Sequence, residues 1–107
     1  MEEIVRKTML FDFYGDLLTE HQREIYEAVV LNDTGYSEVA QEEGISRQGV
    51  HDLVRRCDRQ LEAYESKLGL MERFLRIRQD ALTIRSEAEL IGADRIKELA
   101  DKIVGEL

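Results

Sequence analysis

The sequence predicts an all-α protein, and three observations predict it. Proline is absent, the abundant Leu, Glu, Arg, Ala and Ile favour helix, and apolar residues recur at three- and four-residue steps through most of the chain. At 107 residues the chain has room for one hydrophobic core, so the expectation is a single helical domain spanning residues 1–107.

The first helix is expected from Glu2 to about Tyr14, with Ile4, Val5, Thr8, Met9 and Phe11 giving it one apolar side, and Gly15 interrupts it. Thr19 followed by Gln22 fits a capping box, in which the threonine oxygen accepts from the Gln22 backbone and the glutamine reaches back. A second helix therefore starts near Glu20 and runs to about Leu31, where Asn32, Asp33, Thr34 and Gly35 supply turn residues. Tyr36 to Glu43 makes about two helical turns with Val39 and Ala40 inward. Gly44 suits the left-handed position just past a helix end, and Ser46 suits the N-cap of the next helix. That helix carries Val50, Leu53, Val54, Cys57, Leu61, Tyr64 and Leu68 in register and extends to Lys67. Gly69 and Gly92 delimit a further helix from Leu70 to about Ala88. The last, Ala93 to Val104, sets Ile96, Leu99, Ala100 and Ile103 on one stripe.

Several function classes fall away. Cys57 is the single cysteine and has no partner for an internal disulfide, and Met1 is followed by Glu2 and Glu3 rather than by a basic and then apolar leader, which points to the cytoplasm. No apolar run approaches the roughly 20 residues that span a bilayer, so membrane insertion is not expected. No C-x-x-C or H-x-x-x-H spacing suggests a metal, and no glycine-rich phosphate loop occurs, so no cofactor is expected. Asp12 and Asp16 lie four apart, but two carboxylates alone make no catalytic site, and the chain reads as a non-enzyme. His21 reads as a surface residue, and Phe11, Phe13, Tyr14 and Tyr26, clustered at helical spacing, read as core.

The stretch "YSEVAQEEGISRQGVHDLV", within a motif at about residues 36–56, has the features of a helix-turn-helix. Ala40 is small where the helices approach, Gly44 lies in the turn, and Ile45, Val50 and Leu53 lie behind. Glu43 departs from the pattern, since such motifs usually carry an apolar residue there, and the first helix of the pair is expected to pack less tightly. The longer segment "LLTEHQREIYEAVVLNDTGYSEVAQEEGISRQGVHDLVRR" resembles region four of bacterial sigma factors, where an "LT..Q" helix leads into the motif. With "LFDFYGDLLT" and "EAYESKLGL" added, the whole chain resembles the YlxM family of small bacterial helix-turn-helix proteins. The family resemblance implies an all-helical, often dimeric protein with a suggested part in the signal recognition particle pathway. The sigma resemblance implies that Arg47, Gln48, His51 and Asp52 lie on the outward face near the start of a recognition helix.

On that face Arg47 would donate two hydrogen bonds to a guanine and Gln48 would pair with an adenine, while Arg55, Arg56 and Arg59 would meet phosphates further along. Asp52 repels phosphate, though a carboxylate there can accept from cytosine or orient an arginine. The charge is unevenly spread. Residues 1–45 hold three basic against eleven acidic residues, residues 46–59 hold four arginines against two aspartates, and the whole chain carries a net −8. Four arginines offer three or four phosphate contacts per subunit, and an acidic segment opposes a duplex over about one Debye length, roughly 8 Å. The same acidity suits a basic protein. The expected partners are therefore nucleic acid (DNA or signal recognition particle RNA), the particle's basic protein, and a second copy of the chain. The self-contact is expected in the C-terminal helices, about residues 61–104, through Leu61, Tyr64 and Leu68 with Met71, Phe74 and Leu75. Two readings stand side by side: an accessory protein of the signal recognition particle pathway, and a DNA-binding transcription regulator.

Overall fold

The computed structural model describes residues 1–107 as six α-helices without strands. These are α1 (Glu3–Tyr14), α2 (Glu20–Tyr26), α3 (Tyr36–Glu43), α4 (Arg47–Leu68), α5 (Leu70–Leu90) and α6 (Asp94–Glu106). The chain divides into two compact units, Met1–Gly69 and Leu70–Leu107.

In the first unit the helix ends follow from local chemistry. A 3-10 turn at Gly15–Leu17 follows α1, closed by the Leu18 N–H on the Gly15 carbonyl. The Thr19 hydroxyl then accepts from the Gln22 N–H at 3.1 Å while the Gln22 side chain accepts from the Thr19 N–H at 3.0 Å, so both halves of the capping box are present. Beyond Tyr26 the helix widens into a π turn over Glu27–Leu31, in which the Asn32 N–H bonds to the Glu27 carbonyl five residues back. The sequence pattern had read this stretch as ordinary helix. Gly44, at φ +68°, ends α3, and Gly69, at φ +63°, ends α4.

The longest helix, α4, is the spine of this unit: α1, α2 and α3 all pack on it. At about 1.5 Å per residue it is roughly 33 Å long. Its inward row of Val50, Val54, Cys57 and Leu61 meets Leu10, Tyr14, Leu18, Ile25, Tyr26, Val29, Val39 and Ala40 in one core. Each fully buried aliphatic or aromatic side chain contributes about 1.5–3 kcal/mol. Of the four aromatics expected in the core, Tyr14 and Tyr26 are buried and Phe11 and Phe13 are half-buried, Phe11 stacked on Tyr26 at a centroid distance of 5.7 Å. Buried polar groups are paired. The Tyr14 hydroxyl donates to the buried Glu65 carboxylate, and the Tyr26 hydroxyl donates to Asp58 Oδ1 at 2.6 Å. Burial, and then the bond to Asp58, pushes the Tyr26 phenol far above its usual range. The α1–α4 seam is sealed outside by Arg6, which grips both oxygens of Glu62 at 2.7 Å. The hydrogen bond from Arg6 holds Glu62 below the usual carboxylate range.

The second unit is a pair of helices joined at Ile91–Ala93, with Gly92 at φ +70° ending α5. Ala81, Ala88 and Ala100 are buried, and the Arg85–Asp101 and Lys97–Glu89 ion pairs cross from one helix to the other. Two expectations change here. Leu61 and Met71, assigned from their spacing to a contact between copies, are 0% and 3% exposed within a single chain and so are not free to form one. Leu68, expected in the same contact, does face outward, as do Leu70, Ile77, Ile84 and Ile91, repeating every seventh residue, Leu90, and Ile96, Leu99 and Ile103 on α6 with Leu107 just past its end.

Candidate nucleic-acid interface

The motif is built by α3 and the first half of α4, with Gly44 turning the chain between them. Ser46 caps α4, its hydroxyl accepting from the Gly49 N–H at 2.9 Å. Val39 and Ala40 are buried, so α3 packs on its apolar side despite Glu43. The Glu43 carboxylate turns away and lies 3.7 Å from Nδ1 of His21, which gives that histidine a neighbour the sequence did not suggest. A second fastener links the motif's helices: the Tyr36 ring stacks on the His51 imidazole with centroids 3.8 Å apart and planes within 9°. His51 is thus half-buried against α3 rather than wholly presented to solvent.

The other candidate residues stay on the outside. Arg47, Gln48, Asp52, Arg55, Arg56 and Arg59 are all exposed. Gln48 donates to Asp52 Oδ1 at 3.0 Å, so these two hold each other one helical turn apart. None of the four arginines makes an ion pair or hydrogen bond within the chain. The contrast with the first 45 residues is sharp, because each cation there is already neutralised. Arg6 is held by Glu62, Lys7 lies 3.3 Å from Glu3 and 3.4 Å from Asp58, and Arg23 is 3.0 Å from Asp16.

Asp58 changes the charge reading of α4. Counted along the chain it offsets one arginine, but its carboxylate points at Tyr26 and Lys7, toward α2 and α1. The exposed surface of α4 is left with four arginines against Asp52, Arg55, Arg56 and Arg59 opposite the buried row and Arg47 in the first turn, where free helix N-terminal N–H groups also favour anions. Sequence spacing missed Tyr36 as the residue that steadies His51. Its one visible sign was an aromatic at the first position of α3, beside the turn. Asp12 and Asp16, considered as a carboxylate pair, are exposed, and Asp16 is taken up by Arg23.

Comparison with known proteins agrees with this architecture. A family model described as "Putative helix-turn-helix protein, YlxM / p13 like" matches residues 1–102. The chain is 41% identical over 98 residues to the UPF0122 protein of Symbiobacterium thermophilum, covering 89% of this chain and 92% of the relative. It is 42% identical over 90 residues to a UPF0122 protein of a Thermoanaerobacter species, covering 84% and 77% of the two chains. With a UPF0122 protein of Clostridium kluyveri it shares 38% identity over 103 residues, which is 96% of this chain and 93% of the other. The chain belongs to the UPF0122 family, the YlxM / p13-like helix-turn-helix proteins.

Proposed function

We propose that the chain is a non-enzymatic, cytosolic accessory protein of the signal recognition particle pathway, whose α4 meets the particle's RNA while its acidic first half meets the particle's basic protein. The observation that carries this reading is the division of cations: four unpaired arginines are exposed on α4, and every cation of α1 to α3 is neutralised within the fold. Phosphates attract the first surface and basic side chains the second. No helix is long and apolar enough to cross a membrane. The active form is a homodimer, with the outward aliphatics of α5 and α6 as the contact in place of Leu61 and Met71. A dimer doubles the arginines presented to one nucleic acid.

The second reading, a DNA-binding regulator of the sigma region four type, draws on the exposure of Arg47 and Gln48 at the capped start of α4, where base edges would be read. Fluorescence anisotropy separates the two. Signal recognition particle RNA, free and bound to its protein, is titrated with the chain at about 50 and about 200 mM salt in the presence of random duplex. Binding that survives the duplex and falls with Arg47→Ala and Arg55→Ala is expected. Displacement by random duplex would favour the DNA reading.

A further inference from the structure

We infer that a groove beside the helix-turn-helix is a docking site for a basic amphipathic helix of a protein partner. The groove, about 490 Å³, opens between the start of α1, the π turn and α3. Its apolar wall is Ile4 with Val29, Val30 and Val54, and Tyr36 also lines it. Two features mark it out from ordinary surface. One is the π turn that supplies Val29 and Val30 to its wall, since such turns are rare and frequent at functional sites. The other is the distribution of charge.

Lys7 is the one cation in the lining, and Glu3 and Asp58 already neutralise it. Glu2, at the N-cap of α1, makes no capping bond, is exposed and lines the groove. A smaller groove of about 230 Å³ shares Glu3 and Lys7 and continues along α1 past Arg6 and Leu10 to Asp58 and Glu62. The combined lining sets four carboxylates, Glu2, Glu3, Asp58 and Glu62, against Arg6 and Lys7; Arg6 pairs with Glu62 and Lys7 with Glu3 and Asp58, which leaves Glu2 unneutralised beside an apolar wall in which Ile4 is 49% exposed. An occupant that complements it presents an aliphatic side chain to Ile4 and Val30 and a lysine or arginine to Glu2, which is the pattern of a basic amphipathic helix. Because Tyr36 both bounds the groove and stacks on His51, an occupant also touches the element that steadies the recognition helix.

This rests on the reading that the acidic first half meets a basic protein. The test uses the full chain and three synthetic peptides of about three heptads each. One carries Leu on one face and Lys on the other, the second has Ser for Leu, and the third has Glu for Lys. Two-dimensional NMR of labelled protein follows the amides of Ile4, Val29, Val30 and Tyr36, and anisotropy gives the affinities. Expected is binding of the Leu/Lys peptide with shifts concentrated at those four amides, weakened at least about tenfold by Ile4→Glu. The Ser peptide should bind at least about tenfold more weakly and the Glu peptide not at all. Equal binding of the Ser peptide, shifts scattered over the acidic surface, or indifference to Ile4→Glu would overturn the assignment. RNA binding by Ile4→Glu, measured in parallel, should be unchanged, which separates failure of the groove from failure of the α4 reading.

Discussion

Replacing Tyr26 by Phe isolates one buried hydrogen bond at the centre of the first unit. The Tyr26 side chain is fully buried, its ring lies against Phe11, and its hydroxyl donates to Asp58 Oδ1 at 2.6 Å. Phenylalanine keeps the ring packing and removes the donor. A hydrogen bond to a charged group is worth about 1.5–3 kcal/mol. Asp58 keeps Lys7 at 3.4 Å and its side chain is 28% exposed, so water can replace part of what is lost. The lower end, about 1.5 kcal/mol, is therefore expected. For a unit of this size that corresponds to a fall of about 6–12 °C in Tm. In urea, with a slope of about 1.5 kcal/mol per molar, the midpoint should fall by about 1 M. Urea unfolding followed by circular dichroism checks this, with an unchanged slope showing that the folded state has kept its compactness. A midpoint within about 0.2 M of the parent would refute the claim that this bond ties α2 to α4.

The remaining predictions concern the motif's turn, the buried thiol and the C-terminal helices. Gly44→Ala should cost about 1–2 kcal/mol, because a Cβ there meets nothing within 4 Å and the penalty is the left-handed backbone alone. Ser46→Ala should cost about 1 kcal/mol through loss of the cap on Gly49; both variants are read by urea midpoints. Burial, and then the charge of Asp58, pushes the Cys57 thiol from 9.0 up to about 11. Its folded value lies above its unfolded one, so the stability it contributes is complete below about pH 9 and is lost as pH rises toward 11. Urea midpoints at about pH 8 and about pH 10 should differ for the parent and differ less for Cys57→Ala. Sedimentation should show a dimer that Ile77→Glu with Ile84→Glu dissociates; a monomeric parent at tens of micromolar would remove the homodimer from the account.

The helices were legible because their ends carry local chemistry that does not depend on the rest of the fold. Thr19, Gly44, Ser46, Gly69 and Gly92 each act within a few residues, and each ends or starts a helix where the spacing implied. The π turn at Glu27–Leu31 was not legible, since "EAVVL" has the same apolar pattern whether its hydrogen bonds run to the fourth or the fifth residue. Periodicity also identifies an apolar face without saying what covers it. Leu61 and Met71 belong to such faces and are buried within one chain, while Ile77 and Ile84 remain outside.

The candidate interface was legible as a set of arginines but not as a charge balance. Asp58 lies only one residue from Arg59, yet its carboxylate is taken up by Tyr26 of α2 and Lys7 of α1. The fate of His51 likewise depended on Tyr36, fifteen positions away across the turn, which no pattern along a single helix reveals.

The salt dependence of RNA binding tests the central claim most directly. Titrations of signal recognition particle RNA between about 50 and about 200 mM salt give the slope of log affinity against log salt, at about 0.7–0.9 per neutralised phosphate. Three or four phosphate contacts from the α4 arginines predict a slope of about −2 to −3.6 per protomer, a loss of about 20- to 150-fold across that range, with Arg55→Ala and Arg59→Ala each reducing the slope by nearly one. A slope near zero, or one untouched by removing both arginines, would contradict the assignment of α4 as the nucleic-acid surface.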